Sequence, residues 1–172
     1  MTDFVTPDVA LNECWNTVVE GVLSHSRSTG PALAGVFSID QSCVRAHALK
    51  GLSALVLGKA EGFGVARQAV TDAEHHLRQG AGWAQDIHYV RAIRLWLDGR
   101  PLEAAATFDR VLDADPLDAL ALKLGHSIRF MFGDKAGMLT ELSHRVSAFG
   151  DSGAVAGYVK GCHAFALEEA GD

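Results

Sequence analysis

The chain has 172 residues, enough for one domain with a substantial core, and its 48% hydrophobic and 21% charged composition is ordinary for a soluble globular protein. Fifteen Lys and Arg against 21 Asp and Glu give a net charge of −6 with no basic run, which argues against a nucleic-acid partner. Apolar runs such as VVEGVL and LSALVLG fall far short of a membrane span, and MTDFVTPDVA lacks the basic-then-apolar pattern of a secretion signal.

Helix signals recur along the chain and hairpin-forming strand signals do not. Thr6 and Pro7 form a cap and first-turn pair, opening a helix with Cys14, Trp15, Val18, Val19, Val22 and Leu23 on one stripe. SHSRSTGP (24–31) reads as a loop, and ALAGVFS as no more than a short helical turn. From Asp40 or Ser42 a helix runs to Gly58, and another from about Glu61 to Arg78, closed by QGAG.

WAQDIHYVRAIRLWLDG then forms a helix ended by Gly99, and PLEAAATFDRVLDAD one opened by Pro101 and stopped before Pro116. LDALALKLGHSIRFMFG ends at Gly133, DKAGMLTELSHRVSAFG at Gly150, and GAVAGYVKGCHAFALEEAG reaches the end. The expectation is an all-α chain of seven or eight helices. Residues 1–82 would pack on two hairpins in 83–152, and 153–172 would begin an incomplete further hairpin.

Gly133 follows Gly99 by 34 residues, each between helices of similar length, which is the period of tetratricopeptide arrays. With Gln85 at position 1, Leu95, Gly99, Ala104, Phe108 and Pro116 fall at positions 11, 15, 20, 24 and 32. A second unit from Ala119 keeps Gly133 and Leu142 but has Gly150 in place of the proline. One helix pair cannot bury its own apolar face, so the hairpins are expected to stack as an α-solenoid.

Most of the chain resembles the tetratricopeptide repeat protein 38 family, most specifically in DPLDALALKLGH and GYVKGCHAFALEEAGD. The resemblance implies a helical solenoid in longer proteins, of which this sequence would be the N-terminal portion. It implies no established activity.

Stacked hairpins of this type present their first helices on a concave face. In this register that face carries Asp86, Tyr89, Ile93 and Trp96, then Leu120, Lys123, Ser127 and Phe130. Tyr89, Trp96 and Phe130 would form an aromatic wall for a protein or peptide partner, which is the basis of the expected interaction or scaffold role. The other reading is that the same groove is filled from within, by the N-terminal helix or by further C-terminal repeats.

Catalytic candidates are few. His126 stands at position 8, where close helix approach asks for Gly or Ala, as Ala92 supplies in the preceding unit; a core histidine is the simpler reading. The alternative is part of a larger helical enzyme or small-ligand protein, with His88 and His126 around a buried site. His75 and His76 diverge by about 100° on a helix, and AEHHLR reads as a solvated surface. No HExxH or Cys/His cluster is present, so no metal or cofactor is expected. EGFGVARQ lacks the strand and third glycine of a dinucleotide loop. Cys14, Cys43 and Cys162 show no pairing motif and point to a reducing, cytoplasmic setting, with self-association through the C-terminal helix a further possibility.

Overall fold

The computed structural model describes residues 9–171; the Thr6–Pro7 cap lies outside them. Among the described residues there are nine α-helices and no strand. They are α1 (Val9–Leu23), α2 (Thr29–Ile39), α3 (Val44–Val56), α4 (Ala60–Arg78), α5 (Asp86–Leu97), α6 (Pro101–Ala114), α7 (Ala119–Met131), α8 (Lys135–Arg145) and α9 (Ala154–Ala170). A 3-10 segment, Val146–Phe149, extends α8. The expected seven or eight helices fall short because of α2. Gly30, Pro31 and Gly35 read as breakers, yet Pro31 sits in the first turn, where its missing N–H leaves no helical bond unmade.

The breaks between helices follow local chemistry. After α5 the Gly99 N–H donates to the Trp96 carbonyl and the Arg100 N–H to the Leu95 carbonyl, with Gly99 at φ 75°. After α7 the same pattern runs from Gly133 to Phe130 and from Asp134 to Arg129, with Gly133 at φ 72°. Left-handed backbone at that point suits glycine, and it turns each following helix back along its predecessor. Asp118 and Asp134 cap α7 and α8 by accepting from the N–H groups of Ala121 and Gly137. Asp115 accepts from the Leu117 N–H across the Pro116 turn.

Consecutive helices pack as pairs, most extensively α3 with α4, α5 with α6, α6 with α7, and α1 with α2. The α3–α4 approach is close enough that a methyl on Gly62 would collide with the Ala54 carbonyl oxygen. So one glycine of EGFGVARQ has a packing role. Helix α7 is the hub. It meets α1, α3, α6, α8 and α9, and is buried on nearly every side. Helix α1 crosses back over the chain to lie against α7 and α9. No helix of the described residues is long and apolar enough to cross a membrane.

Candidate functional site

The α5 residues expected on an open face are inside the protein. Asp86, Tyr89, Ile93 and Trp96 are all buried, as is Leu120 of α7. Tyr89 meets Phe108 edge-on at 5.2 Å, Trp96 meets Phe132 at 5.7 Å, and Phe130 meets Phe165 at 5.0 Å. The three rings thus take three different partners, and only Phe130 is exposed. The expected aromatic wall is not assembled. The physical reason is that α5 lies between neighbours: α3 and α4 cover one side and α6 another.

What Asp86 and Tyr89 join is a buried polar network. Arg45 of α3 donates from Nε to Asp86 Oδ1 at 2.7 Å and from Nη1 to Asp118 Oδ2 at 3.4 Å. The Tyr89 hydroxyl donates to the Asp118 carboxylate at 3.0 Å, while Asp86 Oδ2 accepts from the Trp83 N–H. The guanidinium also lies 4.8 Å from the centre of the Tyr89 ring. Burial pushes the Asp118 carboxyl above the usual range, against the pull of Arg45, the Ala121 N–H and the Tyr89 hydroxyl. Tyr89 is raised well above its ordinary value, first by burial and then by Asp118. Asp86, Tyr89 and Asp118 are buried and the Arg45 side chain is 11% exposed, so the network serves to join α3, α5 and α7.

The residues that remain accessible gather elsewhere. Lys123, His126, Ser127 and Phe130 of α7 line a cleft of about 520 Å³ closed by Leu23 at the end of α1 and by Tyr158 and Phe165 of α9. That volume lies within the roughly 300–1,000 Å³ common for small-molecule sites. A smaller extension shares His25, Val56, Lys123 and Ser127 and runs on between α1 and α3. Gly157 and Gly161, one turn apart on α9, also line the cleft, and a methyl on either would meet nothing within 4 Å.

His126 is 8% exposed, its ring edge-on to Phe165 at 5.8 Å, and its Nδ1 is buried without a hydrogen-bond partner. The close approach expected at its position occurs one residue earlier. A methyl on Gly125 would stand 3.4 Å from Phe108 Cβ and 3.7 Å from the Ala105 carbonyl, so Gly125 faces α6 and His126 is turned toward α9. Burial, then Lys123 and Arg129, push the imidazole down from 6.5 to about 4. The unfolded chain therefore binds a proton first as the pH falls. The stability this group contributes is complete above its unfolded value near 6.5 and is lost on acidification through about 4. His126→Gln should show a shallower decline in urea midpoint over that window, by up to one proton's worth of slope. Parallel wild-type and variant curves would contradict this assignment.

His88 is half-buried on α5 and lies outside the cleft lining, so the two catalytic candidates do not meet in this cleft. Burial and the charges of Arg110 and Arg91 lower its pKa. His76 is more enclosed than a solvated surface implies: it stacks on His47 with ring centres 5.2 Å apart, and its Nδ1 is buried. Asp72 is near His47, yet no group of three or more His, Cys, Asp or Glu among the described residues could hold a metal ion. Cys14, Cys43 and Cys162 are free thiols.

The α9 side of the cleft escaped the sequence reading, although GYVKG carries a signal for it: two glycines four apart clear one helix face. The contribution of Leu23 has no such signal, since it depends on α1 folding back. No family model matches the chain, and no solved structure matches it.

Proposed function

We propose that this chain is a tetratricopeptide-like helical stack that serves as a protein-interaction module, with the partner engaging the C-terminal end of α7. The observation that carries this reading is a run of three large apolar side chains left in solvent: Phe130, Met131 and Phe132 are 49%, 40% and 45% exposed. Exposed apolar side chains gathered at one helix end mark interaction sites, and here Phe130 is flanked by Phe165 of α9 and Phe132 by Trp96 of α5. The repeat character is supported by the matching glycine turns at Gly99 and Gly133 and by hairpins of similar length on either side. The resemblance to the tetratricopeptide repeat protein 38 family and a cytoplasmic setting belong to the same proposal.

A photo-crosslinking amino acid tests it directly. Placed at residue 130 in cells, it should yield one adduct of defined mass, whereas the same group at Ile87, which is exposed on α5, should not. Equal adducts from both positions, or none from residue 130, would overturn the reading.

A further inference from the structure

The cleft between α1, α7 and α9 has a charge pattern at odds with the chain as a whole. The protein is net acidic at −6, yet among the described residues neither the cleft nor its extension toward α3 is lined by any Asp or Glu. Among the described residues their one charged lining residue is Lys123, which belongs to both. Its Nζ has no carboxylate partner among the described residues; its hydrogen-bond partner there is Cys162 Sγ at 3.8 Å. Burial raises the pKa of that thiol, so it stays protonated and does not neutralise the ammonium. Lys123 in turn holds the His25 imidazole below its ordinary pKa.

Around this cation the walls are apolar or small: Leu23, Val56, Met131, Phe165, Gly157 and Gly161. His126 adds a buried imidazole lacking a partner at Nδ1, and Ser127 a hydroxyl. A lone ammonium at the side of an apolar cleft is matched by a ligand with one negative oxygen group and a hydrocarbon body. A neutral apolar ligand would leave the ammonium unmatched, and a cation would be repelled.

We infer that this cleft binds a small amphiphilic carboxylate, with its head group on Lys123 and its apolar body against Phe165 and the bare face of α9 at Gly157 and Gly161. The cleft shares Phe130 and Met131 with the α7 ridge proposed for a protein partner. Lys123 and the α9 face at Gly157 and Gly161 lie outside that ridge, so the ligand reading is tested separately.

Titration calorimetry of the whole chain with sodium octanoate, decanoate and decyltrimethylammonium tests the inference. Decanoate should bind at one site, and tighter than octanoate by about fourfold for each added methylene. Decyltrimethylammonium should not compete. Lys123→Met keeps the apolar stem and should weaken decanoate roughly tenfold or more. Gly161→Leu grows a side chain into open space in a helix, favouring the fold while blocking the cleft, and should abolish binding. Circular dichroism melts of both variants separate a lost site from a lost fold. Three results would overturn the inference: no saturable decanoate binding to the wild type, equal affinity for the cationic amphiphile, or decanoate binding unchanged in either variant. Dimers seen by light scattering that Gly161→Leu disperses, with no decanoate bound, would assign the cleft to a second copy of the chain and equally overturn it.

Discussion

Arg45→Met should destabilise the fold by about 3–5 kcal/mol, a large part of the roughly 5–15 kcal/mol that holds a domain of this size together. Methionine can fill most of the space of the arginine stem, so the loss is electrostatic more than steric. It leaves Asp86 and Asp118, with side chains 0% and 3% exposed, facing each other's surroundings without their shared cation. Removing one partner from a buried ionic group costs more than the group contributes when intact, because the remaining charges have already left water. The Tyr89 hydroxyl and the Ala121 N–H still reach Asp118, but neither supplies positive charge.

The pH dependence of that loss identifies its origin. Asp118 already has a raised pKa in the folded protein, so the fold binds its proton more readily than the unfolded chain does. Such a group favours folding at low pH, and that contribution disappears as the pH rises through the folded value. Removing Arg45 takes away the first influence that lowers this pKa and raises it further. The deficit of Arg45→Met relative to wild type should therefore shrink when urea denaturation is repeated at pH 5 instead of pH 7. A deficit that stays constant across this range would mean that lost packing, not an uncompensated carboxylate, accounts for the change.

The network also shows where reading the sequence stops. Asp118 is legible as a helix cap, because a short acidic side chain just before an apolar helical run is the usual solution to unpaired N–H groups. That its carboxylate also meets an arginine 73 residues earlier is a matter of how hairpins stack, and no local pattern encodes it. Most helix limits are likewise local, set by Gly99, Pro101, Gly133 and Asp134 through backbone geometry and capping. Helix α2 is hidden for the converse reason: Gly30, Pro31 and Gly35 score as breakers one at a time, while α1 supplies the surface that holds them helical.

Sidedness is the weaker part of the sequence signal. A stripe of Asp86, Tyr89, Ile93 and Trp96 looks the same whether it faces a partner or a neighbouring helix, and only the arrangement of α3, α4 and α6 decides between them. On α7 a one-residue difference decides the site. Periodicity puts the small residue at 126, whereas Gly125 makes the close approach and the imidazole rotates toward α9. Lys123, Ser127 and Phe130, which share α7 with His126, are the predicted positions that do meet at one cleft.

Trp96→Ala and Phe130→Ala should therefore part company, although both are aromatic residues at equivalent helical spacing. Trp96 is 5% exposed and packed edge-on against Phe132, so truncation opens a cavity between α5 and the end of α7 that the neighbours only partly refill. Its expected cost is about 3–5 kcal/mol. Phe130 already has half of its surface in water and loses chiefly one edge-to-face contact with Phe165, worth about 1 kcal/mol. Thermal or urea unfolding of the two variants decides the matter without knowledge of any partner. A Trp96→Ala protein as stable as wild type would place that indole on an accessible face and restore the inner aromatic wall. A large loss from Phe130→Ala would instead draw Phe130 into the core, and with it remove the exposed ridge on which partner capture depends.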